Sequence, residues 1–316
     1  MKLNPGNEAQ SVNHLGKYFV GMKKKLEWYG GSIHKVDKNG ILLYKVPYTP
    51  NYHYYPVDIA EYALGNFEIY LDNGSEHHKG AFLKQADWLV SNITIKSEGF
   101  GVWEHNFVLP YYSFKVPWVH GMAQGLAISV LLRAHQLSGD NAYLGSAKKA
   151  YGVFEKSMEE GGVRHIDKNG NIWLEEYSVS PPPHILNGFI FALFGVYDFY
   201  SATKSEKALN LWRAGVRTLE ENLNLYDLGY WSRYNLVHQH PATKSYHALH
   251  VRQLKVLCEL SGKTIFGVYA AKWEKCLNNP INRVRATLER GAVHIKKHGI
   301  KGSIGIYFVM RKWAKR

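Results

Sequence analysis

Three stretches of this chain repeat one pattern at nearly equal intervals. Gly121–Leu137, Ile185–Tyr200 and Tyr246–Leu260 carry apolar residues almost all round at helical spacing. Each ends in a short polar turn (Ser138-Gly139-Asp140, Ser201-Ala202-Thr203, Ser261-Gly262-Lys263) that leads into an amphipathic helix, Ala142–Lys156, Glu206–Glu221 or Phe266–Leu277. A histidine opens each unit: His120, His184 and His247. A helix that is apolar on every face must be buried, and amphipathic helices must cover it. A helix pair repeated at this length is one supersecondary unit stacked on its neighbours. The predicted fold is therefore mainly α: an α/α toroid, an incomplete barrel of helix hairpins whose inner-helix ends line a concave mouth.

The segments between units are longer than tight turns and hold strands. Val163–Ile166 and Ile172–Tyr177 flank Asp167-Lys168-Asn169-Gly170, and near the N-terminus Gly31–Val36 and Ile41–Val46 flank Asp37-Lys38-Asn39-Gly40. An Asn-Gly pair between apolar runs is a strong hairpin signal. Tyr230–Val237 reads as a further strand-like insertion. An aromatic loop, Asn51–Pro56, leads into predicted helices at Val57–Leu71 and Gly80–Asn92, with His77-His78 expected in a solvated turn before the second. These boundaries divide the chain into an N-terminal β-hairpin and aromatic-loop extension (1–54), a toroid (55–280) and a basic tail (281–316) expected to pack on it. Long inserts on one face of a toroid usually build its site.

Among 316 residues, a hydrophobic content of 46% excludes a disordered chain. Aromatic content is high, with 22 Tyr and 9 Trp. Flat apolar faces with a polar edge suit sugar rings, although a Tyr-rich core must account for most of them. The formal charge is +13, and Arg283–Arg316 carries much of it with Glu289 its lone acid. A basic excess points to an anionic partner. An acidic polysaccharide or a phospholipid surface fits; nucleic acid is not expected, because no nucleic-acid motif accompanies the charge. Cys258 and Cys276 can form neither a disulfide framework nor a four-ligand zinc site. No signal-like region opens the chain and no apolar run reaches about 18 residues. A cytoplasmic location is expected, with the basic tail, including the apolar run Ile304–Val309, available for peripheral membrane contact.

Chemistry concentrates on the inserts. Glu175-Glu176-Tyr177 sits at the end of a hairpin, and Pro181-Pro182-Pro183 then excludes helix up to about His184. Ionisable groups on a stiff loop against a buried helix start can be both positioned and desolvated, although a solvated strand end followed by a rigid linker has the same pattern. Tyr234 and Tyr246-His247 lie on the next insert and the third inner helix. A catalytic tyrosine must lose a proton, and nearby cations ease that loss; Arg233, His238, His247 and Arg252 are the candidates. His184 and His247 are further expected to touch substrate. Gln124-Gly125 and Asn187-Gly188 lie inside inner helices, where glycine permits close packing with the amides satisfied locally, or where Gln124 reaches substrate near the mouth.

The chain resembles the glucuronyl C5-epimerase family. The matching text is Ala123-Gln124-Gly125 with Ala127-Ile128-Ser129; Glu175-Glu176-Tyr177 with Leu186-Asn187-Gly188-Phe189 and Gly195-Val196-Tyr197-Asp198; Leu225-Tyr226-Asp227 with Tyr234-Asn235-Leu236; and Tyr246-His247 with His250 and Gln253-Leu254. Tyr55-Pro56-Val57 and Ala86–Val90 match more weakly. The resemblance implies conversion of D-glucuronate to L-iduronate within a polymer. It assigns Glu176 and Tyr246 as the two groups acting from opposite faces of the sugar, with Tyr177 and Tyr234 as further active-site tyrosines and Tyr55 and Asn187 among the substrate contacts. The chemistry calls for no metal and no cofactor. Three residues after the tyrosine matching Tyr234, the animal enzymes carry an arginine; this chain has Val237, and Arg233 and His238 are the neighbouring candidates for that contact.

Removing a proton α to a carboxylate loads negative charge onto that carboxylate, so donors or cations must hold it. Inversion then needs a second group on the other face. Two other functions fit the same residues: a uronate lyase, in which elimination follows the same abstraction, and a non-catalytic acidic-glycan-binding protein. The expected partners are an acidic polysaccharide and, in assembly, a second copy in a homodimer.

Overall fold

In the computed structural model, which describes residues 15–29, 33–46, 51–109, 112, 114–238, 240–293 and 295, a fourth hairpin joins the three that the repeat predicts. It consists of α1 (Pro56–Asn73) and α2 (Glu76–Ser91). Proline at the first position of α1 costs no hydrogen bond there, and Gly74 ends the helix at φ 71°. Ser75 caps α2, so the helix starts earlier than expected, and His77 and His78 stand in its first turn rather than before it. There His78 Nδ1 bonds Asn66 Oδ1 on α1 at 2.7 Å.

The N-terminal hairpin is a three-stranded antiparallel sheet of β1 (His34–Val36), β2 (Leu42–Lys45) and β3 (Tyr52–His53). Asp37 Oδ1 accepts the N–H groups of Asn39 and Ile41, and Gly40 takes φ 85°. Ile41 and Leu42 join the same core as α1, so this segment packs as part of the main body. Short hairpins follow: β4 (Thr94–Ile95) with β5 (Gly101–Val102), and β6 (Glu104–His105) with β7 (Trp118–Val119).

The repeated units are α3 (Gly121–Ser138) with α4 (Asn141–Tyr151), α5 (Leu186–Thr203) with α6 (Glu206–Asn222), and α7 (Lys244–Ser261) with α8 (Thr264–Asn278). Their turns carry the stops and starts that the sequence signals. Gly139 and Gly262 end α3 and α7 in the left-handed region, while Asp140 and Ser205 accept from the first turns of α4 and α6. The insert between α4 and α5 holds the predicted hairpin, β8 (Arg164–Ile166) with β9 (Ile172–Leu174). Tyr230–Val237 is not a strand: Arg233 donates its N–H to the Tyr226 carbonyl and only isolated bridges form.

Helix α3 lies along both α1 and α5, and α5 touches α7, so these four make the inner arc. Helices α2, α4, α6 and α8 each pack on their own inner partner outside it. Along α5, Leu186, Phe189, Ile190, Phe191, Leu193, Phe194 and Val196 are buried, each burial favouring the folded state by about 1.5–3 kcal/mol. The α3–α5 crossing is set by glycine: a Cβ on Gly195 would stand 2.3 Å from the Gly125 Cα. One turn further along α5 and about two along α3, Asp198 and Arg133, both 1% exposed, pair at 2.6 Å.

The basic C-terminal segment begins as a helix, α9 (280–293). It is held where Ala286 packs with Tyr230, Trp231 and Cys276, and where Arg285 lies 3.8 Å over the Tyr230 ring. The apolar run Ile304–Val309 lies outside the described residues. Among the described residues, no helix is long and apolar enough to cross a membrane.

Candidate active site

The N-terminal ends of the four inner helices converge on one carboxylate. Tyr55 is the N-cap of α1, His120 that of α3, Asn187 is the second residue of α5 and Tyr246 the third of α7. Glu176 stands among them on the loop after β9. Its carbonyl accepts the Gly121 N–H at 3.0 Å, and Tyr177 bridges to His120, which locks the loop to the start of α3. The Glu176 carboxylate is 4% exposed. Asn187 Nδ2 lies 3.4 Å from its Oε2, His120 Nε2 lies 3.8 Å from its Oε1, and the hydroxyls of Tyr177 and Tyr234 donate to it.

Burial pushes the Glu176 carboxyl up to about 8, helped by the neighbouring Glu175 charge and opposed by the donated hydrogen bonds. The tyrosines move the other way from the sequence expectation. Burial and the Glu176 charge raise Tyr55, Tyr177, Tyr234 and Tyr246 above the usual phenol value. Tyr246 is held by the Thr243 cap, whose Oγ1 accepts its N–H at 3.1 Å, and its ring remains 37% exposed in the mouth. Tyr234 packs 4.8 Å from it, and the two hydroxyls share a hydrogen bond. Tyr234 therefore hydrogen-bonds both Glu176 and Tyr246.

The adjacent carboxylates face different surroundings. Glu175 accepts from the His184 backbone N–H at 3.0 Å and meets His184 Nδ1 at 2.5 Å. His184 stacks 4.3 Å from Trp173 and its carbonyl accepts the Tyr226 hydroxyl, so both residues brace the loop. The His184 ring, expected to touch substrate, thus spends its Nδ1 on Glu175.

Other expected contacts are also engaged elsewhere. His247 is fully buried, stacked 3.8 Å on Trp231, with Nδ1 on Ser232 and Nε2 2.9 Å from the Trp273 carbonyl. Burial lowers it to about 4, so it is a neutral core group. Gln124 is fully buried and donates to the Trp103 carbonyl at 3.2 Å, the locally satisfied arrangement. Arg233 donates to the Leu225 carbonyl at 2.9 Å. Arg252 is half-buried on α7, its pKa lowered by burial, with no ion pair among the described residues. Burial and neighbouring negative charge, rather than Arg233, His247 or Arg252, dominate at the site tyrosines. His238 does lie at the rim, its ring 5.6 Å from that of Tyr112.

The sequence reading missed Tyr112 and His105 and left His120 without a role. Tyr112 packs 5.2 Å from Tyr177 and accepts from Asn235 Nδ2, while His105 stacks 4.2 Å on Trp118 beside His120 and Tyr55. Burial holds His120 and His105 well below ordinary histidine, so both are neutral. The density of aromatics from Phe107 to Trp118 was the available signal. No cluster of metal-ligating residues occurs among the described residues.

The family model described as D-glucuronyl C5-epimerase C-terminus matches residues 96–275. The D-glucuronyl C5-epimerase of Caenorhabditis elegans is 36% identical over 225 residues, covering 63% of this chain and 35% of that protein. An uncharacterised Methanocaldococcus jannaschii protein, MJ1128, is 32% identical over 196 residues, covering 61% of this chain and 63% of its own length. The chain thus spans less than two thirds of either relative. In fold it is similar to a D-mannose isomerase, with a TM-score of 0.56 at 13% identity over 92% of this chain and 83% of that one. The matched segment contains Glu176, Tyr177, Asn187, Tyr234 and Tyr246, and the chain belongs to the D-glucuronyl C5-epimerase C-terminal family.

Proposed function

We propose that this protein is a polysaccharide C5-epimerase that converts D-glucuronate units to L-iduronate by proton exchange at C5. The observation that carries the reading is the pairing of Glu176, a buried carboxyl pushed to about 8, with Tyr246, a phenol kept protonated in the open mouth. A base whose pKa lies near the working pH combines a usable ionised fraction with strong proton affinity. In the forward direction the C5–H bond breaks and its proton goes to Glu176. The electron pair moves into the sugar carboxylate, giving a planar enediolate, and the Tyr246 O–H protonates C5 from the other face.

The developing charge on the sugar carboxylate meets the N-terminal ends of the four inner helices and the Asn187 amide, whose second N–H is not spent on Glu176. Helix N-termini carry partial positive charge, and preorganised donors in a water-poor site hold a developing oxyanion at little reorganisation cost. After inversion Glu176 holds an extra proton and Tyr246 lacks one. Tyr234, hydrogen-bonded to both, offers the route by which that proton returns and the site resets.

Incubating the protein with heparosan, a polymer of alternating glucuronate and N-acetylglucosamine, in heavy water tests the reading. Deuterium at C5 with new iduronate signals by NMR supports it. Growing ultraviolet absorbance from an unsaturated uronate would make the protein a lyase instead. Binding without deuterium uptake would leave a glycan-binding protein.

A further inference from the structure

Beside Tyr246, on the side facing α9, lies a cavity of about 200 Å³ whose lining includes Trp231, Thr243, Lys244, Arg283, Thr287 and Arg290. Three of these six are cations, and no acid lines the cavity. The one acid of α9, Glu289, is already engaged by Arg285 and by the Tyr230 hydroxyl. Lys244, Arg283 and Arg290 form no ion pair among the described residues, and the Arg283 Nε is buried without a hydrogen-bond partner. Half-buried guanidinium groups left unneutralised are costly unless something anionic completes them.

The position of the cavity connects it to the site. Thr243 is both part of the lining and the cap that fixes Tyr246, and Lys244 opens the same helix turn. Burial lowers the Arg290 pKa, while the Tyr246 hydroxyl acts on it in the opposite sense, which puts the two groups within electrostatic reach. The N-terminal end of α7 adds its own partial positive charge. Arg283 and Arg290 both come from α9, beyond the residues that the family model matches.

We propose that this cavity is a subsite for the carboxylate of a uronate flanking the reacting unit on the same polymer chain. Two guanidinium forks and an ammonium suit a planar carboxylate, and a site lined by the cap of the helix that carries Tyr246 would engage a neighbouring repeat rather than the sugar being inverted. The subsite rests on the epimerase reading for its ligand, but it makes a binding claim that is measured separately from turnover. It gives this chain a preference for polymers that carry repeated uronates.

The test uses the full chain in a Glu176→Gln background and measures the Kd of two probes by calorimetry. One is a heparosan decasaccharide, and the other is a trisaccharide with a single central glucuronate. Arg283→Gln with Arg290→Gln is expected to weaken decasaccharide binding about tenfold, the loss expected for charge-assisted contacts, and to flatten its salt dependence. Trisaccharide binding should stay within about twofold, since it lacks the flanking carboxylate. Arg285→Gln, whose partner is Glu289, serves as the control and should change neither. Lys244→Gln, at an exposed position, repeats the test without burdening the fold and should weaken the decasaccharide alone by a few-fold.

Equal decasaccharide affinity in the double variant and its background overturns the subsite, as does an equal loss for both probes, or a background protein that binds neither. Arginine-dependent binding by a wild-type protein that exchanges no C5 hydrogen would keep the subsite and remove the epimerase reading. Exchange with arginine-independent binding would do the reverse.

Discussion

Gly188 makes room for Glu176: a Cβ at position 188 would stand 2.1 Å from the Glu176 Oε2 and 2.6 Å from its Cβ. The buried carboxylate occupies the space that a side chain on the first turn of α5 would fill, directly after Asn187, which donates to it. Gly188→Ala should therefore displace Glu176. Alanine is the better helix former by about 1 kcal/mol, so the helix itself gains. Turnover should nevertheless fall on the order of 10²-fold, because small misplacements of a reacting group are that costly. Isotope exchange at C5 alongside thermal unfolding checks this, and unchanged exchange would mean that Glu176 need not sit where it does.

Glu176→Gln and Tyr246→Phe should each lower C5 exchange on the order of 10²-fold or more, with the fold intact, since each removes one side of a two-face proton transfer. Deuterium uptake by NMR, with circular dichroism as the folding control, measures the effect. Near-wild-type exchange in either variant would take that residue out of the mechanism.

With the Glu176 carboxyl at about 8 in the folded protein, the ionised base grows as pH rises through that value. The kcat/KM for glucuronate inversion should rise with pH on an apparent pKa near 8, and the rise should vanish in Glu176→Gln. Stability runs the opposite way. The folded group binds its proton more tightly than an exposed carboxyl at 4.5, so its contribution is full below about 4.5 and is lost as pH climbs through about 8. Glu176→Gln should therefore gain stability relative to wild type at alkaline pH, and the difference should close in acid. Urea unfolding across that range reads it.

Arg133 and Asp198 tie α3 to α5 through a fully buried pair, with Arg133 also donating to the carbonyls of Ser129 and Gly16. Removing one charge strands the other in the core. Asp198→Ala should cost about 3–5 kcal/mol by urea unfolding. A loss below about 1 kcal/mol would show that the pair is replaceable where it stands.

His247→Gln separates a core group from a substrate contact. Losing the Trp231 stack and its hydrogen bonds should lower the unfolding midpoint while KM on heparosan stays within about twofold, because hydrogen-bond removal inside the core costs about 1–3 kcal/mol of folding, not of binding. A raised KM at unchanged stability would return His247 to the site.

Short-range chemistry explains what the sequence by itself determined. Apolar residues on every face of Ile185–Tyr200, Asn-Gly at both hairpin turns, and glycine or Ser/Asp at the helix ends act within a turn or two, so the layered helix hairpins were legible. The inserts carrying Glu175-Glu176-Tyr177 and Tyr234 were read from the same repeat as emerging at one end of the array, while the choice of Glu176 and Tyr246 as the reacting pair came from the family resemblance. The tertiary structure decided which neighbour of each polar group came first. Glu175 and Glu176 are adjacent and chemically alike, yet the packing of His184 and Trp173 claims one, while the close approach to Gly188 seats the other among four helix ends. The repeat made His120, His184 and His247 equivalent, but Trp231 and Ser232 bury one, Glu175 engages another, and only His120 lies beside Glu176. Arg290 was legible merely as part of a basic tail; the helix that carries it past Tyr246 depends on Ala286 and Arg285 meeting Tyr230 and Trp231, contacts between residues far apart in the chain. Charge, burial and proton affinity depend on such distant partners, and a local pattern does not encode them.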